Sequence, residues 1–170
     1  MSTDTACPSR ADDHRLASRT IAVADIGTGL RDAMFALFAQ YYDGVSRERF
    51  DRDLDGKDRA LLLEQGRELI GFTTLRCFDF TWRGESVSVV FSGDTIVARQ
   101  HWGEQELARA WLRQIGRIAR ACGGKRLFWF LIVKGHRTYR YLPAFARGFV
   151  PAASGEAPAG LRDLRDALGE

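Results

Sequence analysis

The sequence predicts a mixed α/β domain, a central sheet with helices on both faces, and three features of its pattern say so. From Leu30 to Tyr41 the apolar residues fall at one helical spacing: Leu30, Ala33, Met34, Leu37, Phe38 and Tyr41. Residues 59–97 then carry three β-rich runs separated by turn residues. Last, a strand at 86–97, an amphipathic stretch at 103–122 and the apolar run 126–133 follow one another as β-α-β. A right-handed crossover joins such parallel strands through the helix.

In chain order, residues 1–18 are polar and contain Pro8, and they read as a loose leader to one domain over 19–170. Residues 19–25 (RTIAVAD) alternate like a short strand. Gly27-Thr28-Gly29 breaks it, with Thr28 as the expected cap of the first helix, which Asp43-Gly44 ends. Ser46 is placed to cap a second, short helix carrying Phe50 and Leu54. Strands are expected over 59–64 and 68–82, with a turn at Gln65-Gly66. Arg83-Gly84 makes a hairpin into 86–97, where Gly93 and Asp94 interrupt the pattern. An internal glycine in a strand marks a bulge or a close approach to the backbone.

The stretch 103–122 is the clearest helix. It has a buried stripe of Leu107, Trp111, Ile115, Ile118 and Cys122, a basic stripe of Arg109, Arg113, Arg117 and Arg120, and Gly123-Gly124 as its stop. The continuous apolar run RLFWFLIV at 126–133 predicts a central strand covered on both faces. A short helix near 138–147 with Pro143 near its start, a linker at 151–160 and a last helix at 161–168 complete the chain.

Composition narrows the classes. A hydrophobic fraction of 45% and a charged fraction of 28% are globular values. No apolar run reaches the roughly 20 residues of a spanning helix. The start lacks the basic and apolar regions of a secretory signal, so a cytoplasmic protein is expected. The net charge of +3 suits an anionic ligand and much else. Cys7, Cys77 and Cys122 form neither a metal-ligand pattern nor a disulfide framework. No nucleophile elbow, zinc-binding helix or Walker loop is present, and three scattered histidines make no metal site.

The order of elements from about Ile21 to Phe149 resembles the GNAT superfamily of acyl-CoA N-acyltransferases. So do the blocks FSGDTIV, WGEQELARAW and LFWFLIVKGHRTYRYLPAF, and an aromatic segment ending in Gly148-Phe149. In that superfamily a cofactor-bearing strand leads into a Gln/Arg-x-x-Gly-x-Gly/Ala loop whose N–H groups hold the CoA pyrophosphate at a helix start. Here the loop reads Gln100-His101-Trp102-Gly103-Glu104-Gln105. Gln100 and Gly103 match, Gln105 replaces a small residue, and Glu104 adds negative charge. The resemblance implies acetyl-CoA or another acyl-CoA as co-substrate, bound by Thr95, Ile96, Val97, Trp102, Gly103, Glu104 and Gln105.

It also implies attack of an amine on a thioester, which needs a base, carbonyl polarisation and an acid for the leaving thiolate. Asp94, in the broken part of the strand, is the candidate base, or else a carboxylate satisfying a bulged backbone or Thr95. Tyr139 and Tyr141 are the candidate acids, although the family tyrosine falls at Ala144, so packing is open for both. His136 is a candidate base or substrate contact, or a surface loop group. Lys134 and Arg137 beside it could meet phosphate or a carboxylate. Phe78, Phe80, Trp82, Phe91 and Trp129 line a pocket or form core.

The function expected is therefore transfer of an acyl group from CoA to a small-molecule amine. The alternative is a GNAT-like domain with altered catalysis that binds a ligand or protein. Neither nucleic acid nor membrane is expected as a partner, the arginine stripe being an ordinary solvated helix face. A homodimer would supply the sheet edge that the chain lacks after Phe149.

Overall fold

The computed structural model describes residues 15–132, 141–146, 148–152 and 160–169. The elements run β1 (Leu16–Ala22), α1 (Thr28–Ala39), α2 (Arg47–Asp55), β2 (Arg59–Gln65), β3 (Glu68–Trp82), β4 (Glu85–Val97), α3 (Glu106–Ala121), β5 (Leu127–Leu131), α4 (Tyr141–Phe145) and α5 (Leu161–Gly169). Single 3-10 turns lie at Val23–Asp25 and Arg99–His101. The five strands form one mixed sheet in the order β1-β2-β3-β4-β5. β1, β2 and β3 pair antiparallel, and β4 pairs parallel with β5. No helix among the described residues is long and apolar enough to cross a membrane.

The chain divides into two compact units, residues 1–76 with 93–124, and 77–92 with 125–170. In the first, Leu61, Leu62 and Leu63 of β2 are each 0% exposed, which requires cover on both faces of the strand. On one face the rings of Phe38 (α1) and Phe50 (α2) lie 5.4 Å apart, and Phe50 meets Phe72 of β3 edge-on at 6.5 Å. α3 packs on β1 and β2 with Leu107, Ala110, Trp111 and Gln114 buried. Arg109, Arg113, Arg117 and Arg120 stay exposed. The second unit gathers Trp82, Val87, Val89 and Leu164, with Phe78, Phe80, Phe128 and Phe130 against them. Trp82 is core, while Phe78, Phe80, Phe128 and Phe130 are half-buried against it, as are Phe91 and Trp129 on adjacent strands.

Local chemistry explains most boundaries. Ser46 Oγ accepts from the Arg49 N–H at 3.2 Å and caps α2 as expected. Arg83 and Gly84 take φ of 51° and 81°, the two left-handed residues of a hairpin turn that follows the strand twist. Gly123 and Gly124 (φ 61° and 84°) stop α3.

Four expectations are corrected. The first strand opens at Leu16 rather than Arg19, inside the stretch read as leader. The residue before α1 is Gly27, with no side-chain cap bond, so Thr28 lies inside the helix. α3 starts at Glu106, not Gly103, because Gly103 has φ 114°, outside the right-handed helical region. Among the described strands β5 is the outermost, with all five residues half-buried, rather than a central strand. Its apolar run serves one neighbouring strand and the aromatic cluster of the second unit.

Candidate functional site

The strand that the sequence singles out, β4, changes character at Gly93. Its parallel pairing with β5 runs from Ser88 to Ser92 and stops. Just beyond, the side-chain alternation slips. Thr73 and Thr95 hydroxyls lie 2.7 Å apart, so those side chains share a face of the sheet. A Cβ on Gly93 would overlap Thr74 Oγ1 and come within 2.7 Å of Lys57 Cε. Thr74 faces the opposite side from Thr73, since β3 holds regular register with β2 there. Residues 93 and 95 of a regular strand project to the same side. Here they do not, so one residue is added to β4 between them, the signature of a bulge.

Asp94 sits at that slip, half-buried. Burial, and after it the charge of Asp94, raises the pKa of the Tyr42 phenol above its ordinary value. Tyr42 stacks on Phe38 at 4.6 Å, and the Phe38–Phe50–Phe72 chain ends on the Thr74 face of β3. Gly93, Lys57 and Thr74 therefore lie on one face, and Tyr42 is close enough to Asp94 to feel its charge. Thr74 Oγ1 is a buried hydroxyl without a partner among the described residues, in a residue 3% exposed. Tyr42, Lys57 and Thr74 escaped the sequence reading. The one available signal was Gly93, whose missing side chain leaves room for Thr74 and Lys57.

Past the slip, strand geometry sorts the backbone groups. The Ala98 N–H donates to Ile70 O at 2.8 Å, so Ala98 faces β3. By alternation Ile96 faces β3 as well, and its carbonyl is the atom that a Cβ on Gly71 would approach at 3.0 Å. The polar groups of Thr95 and Val97 face the other edge. Ile96 is buried, whereas Thr95 is exposed.

The loop after β4 uses several of its own donors. The N–H groups of His101, Trp102 and Glu104 donate to Ala98, Arg99 and His101 carbonyls at 2.8, 3.2 and 3.2 Å. Those of Gly103 and Gln105 have no partner among the described residues. Gln105 is the residue before α3 and makes no side-chain cap, and the first intrahelical bond is Arg109 N–H to Gln105 O at 2.9 Å. The first-turn donors of α3 thus have no intrahelical acceptor. Leu16, Gly103, Glu104, Gln105, Glu106 and Arg109 line an open hollow of ≈ 440 Å³ at this end of the helix.

Two carboxylates crowd a helix start that otherwise suits an anion, but one is neutralised. Glu106 Oε1 accepts from Ser18 Oγ and from Arg113 at 2.7 Å each, and Arg113 also reaches Ser18 Oγ at 3.0 Å. The Ser18 hydroxyl, then Arg113, hold the Glu106 carboxyl below its ordinary range. Glu104 is exposed. His136 and Tyr139 lie outside the described residues, as do Lys134 and Arg137. Tyr141 begins α4, and its side chain is likewise outside them.

These features define a class: a mixed sheet whose fourth strand breaks pairing at a bulge and runs through a glycine turn into an uncapped helix. No family model and no curated protein sequence matches the chain, but solved structures do. It superposes on an aminoglycoside N-acetyltransferase in complex with CoA at TM-score 0.60 and 12% identity, covering 85% of this chain and 95% of that one. A ribosomal-protein-alanine N-acetyltransferase from Brucella melitensis gives 0.58 and 14%, covering 84% and 98%. A probable N-acyltransferase from Enterococcus faecalis gives 0.57 and 16%, covering 75% of this chain and only 32% of that one. The chain has the GNAT N-acyltransferase fold.

Proposed function

We propose that the protein is an acyl-CoA-dependent N-acyltransferase that moves an acetyl or larger acyl group to the amine of a small molecule. The observation that carries this reading is the slip at Gly93–Asp94, which sets a carboxylate where the strand loses its neighbour. Thr95 and Val97 backbone groups would receive the amide-bearing arm of the cofactor. The N–H groups of Gly103 and Gln105 and the first turn of α3 would hold its pyrophosphate, with Arg109 as the nearby cation. Asp94 would take the ammonium proton before attack, directly or through water. Tyr141 and Tyr139 stand as candidates to protonate the leaving thiolate, and His136 as a contact for the acceptor. The fold neighbours support an amine acceptor, being named for an aminoglycoside and for ribosomal-protein alanine. A homodimer completing the sheet is part of the same proposal.

A second reading, a GNAT-like binding domain with altered catalysis, draws on Glu104 beside the N–H groups of Gly103 and Gln105. One experiment separates the two. Acetyl-CoA is incubated with a panel of primary amines, and free thiol is followed for the wild type and Asp94→Asn. Amine-dependent thiol release that falls about 10²- to 10⁴-fold in Asp94→Asn supports the enzyme. CoA binding without release by any amine favours the altered domain, and unchanged turnover in Asp94→Asn removes Asp94 as the base.

A further inference from the structure

Trp102 is 47% exposed, yet its one polar atom is turned inward. The indole Nε1–H donates to the Val97 carbonyl at 2.8 Å. A tryptophan placed only to cover apolar surface leaves its N–H to water at no cost, because the indole is a donor only. Here the donor caps a carbonyl on the edge of β4 that faces away from β3. The Arg99 guanidinium lies over the ring at 5.3 Å, and the Arg99 N–H donates to the Tyr41 hydroxyl at 2.8 Å, tying that turn to the end of α1. Directly after Trp102 comes Gly103 with φ 114°, a backbone that pivots without a side-chain penalty.

Val97 O is an acceptor that an amide donor lying along the strand would use. A carbonyl oxygen has two lone pairs, so the competition is steric: an indole bonded to Val97 O at 2.8 Å puts its ring on the strand edge along which an amide-bearing arm would lie. We propose that Trp102 is a latch on the edge of β4, which the amide-bearing arm of an acyl-pantetheine ligand displaces when it binds. This rests on the acyl-CoA reading above and adds a specificity-determining residue to it. Trp102 makes binding of the arm costlier than binding of the nucleotide part alone. The ring swings aside about its own side-chain torsions, Val97 O exchanges the indole for a ligand amide, and the loop donors at Gly103 and Gln105 keep their places.

The test compares CoA with adenosine 3′,5′-bisphosphate, which carries the nucleotide and phosphates but no arm, by calorimetry on the wild type and Trp102→Phe. Phenylalanine keeps an aromatic ring over Arg99 and removes the N–H. The expected result is CoA binding tightened roughly three- to tenfold, the ordinary net worth of one hydrogen bond, with the bisphosphate within about twofold. Equal tightening of both, weakening of either, or no change overturns the latch. If neither protein binds CoA, the acyl-CoA reading fails and takes the latch with it. Independently of any variant's folding, the wild-type Trp102 indole N–H resonance is expected to move on saturation with CoA and to stay put with the bisphosphate. A resonance indifferent to CoA, in a protein that binds CoA, contradicts the latch alone.

Discussion

The two halves of β4 belong to one continuous strand but differ in pairing and exposure. From Ser88 to Ser92 the strand has a parallel neighbour, and Val87, Val89 and Val90 on this side are at most 1% exposed. From Gly93 to Val97 it loses that pairing, slips by one residue, exposes Thr95 and holds Asp94 half-buried. A strand with partners on both sides has nothing left to offer a ligand, since its backbone donors and acceptors are spent on the sheet. Once one partner ends, the same backbone keeps donors and acceptors that the sheet does not use.

That contrast predicts opposite mutational responses. Val89→Ala, in the paired half, should destabilise by about 2 kcal/mol through lost burial and a cavity. Thr95→Ala, in the open half, should cost less than about 1 kcal/mol, the worth of its bond to Thr73. Chemical denaturation of both variants checks the pair, and similar losses would erase the distinction. Gly93→Ala is next in size. Its new methyl must displace Thr74 and Lys57, at about 1–3 kcal/mol by the ordinary cost of overpacking. The reciprocal change Thr74→Val removes the unpartnered hydroxyl at nearly constant volume and should stabilise by about 1 kcal/mol. A destabilised Thr74→Val would mean that this hydroxyl has found a partner in solution.

The smallest effect concerns the helix start. Because Ser18 and Arg113 depress the Glu106 carboxyl, the unfolded chain takes up that proton at higher pH than the folded one. The stabilisation is full above the ordinary value of 4.5 and fades as pH falls through the lower folded value. Glu106→Gln should therefore lie below the wild type in stability at neutral pH and draw closer to it as the solution is acidified below 4.5. A constant gap across that range would show that the pair is not coupled to folding by charge.

Much of this was readable in advance for a physical reason. The α1 face, the Ser46 cap, the Arg83-Gly84 hairpin and the break at Gly93 are local signals, each set by a few neighbouring residues. β5 was misplaced because an apolar run reports burial without saying by what, and aromatic packing buried it as a neighbouring strand would. The start of α3 moved because a glycine ahead of a helical pattern can begin a helix or turn into it, and only its φ decides. Thr74 and Tyr42 were illegible for another reason. Their place beside Asp94 depends on register between β3 and β4 and on ring contacts across α1 and α2. The indole bond from Trp102 back to Val97 likewise follows from the path of the turn between them.

On the proposed function, the open half of β4 and the start of α3 together hold an acyl-CoA. Thermal unfolding in the presence of CoA and acetyl-CoA tests it most directly. Ligand at about 100 times its dissociation constant should stabilise the protein by roughly 2.7 kcal/mol, with a melting temperature that climbs with concentration. A melting temperature that stays fixed up to millimolar concentrations of both ligands would contradict the account.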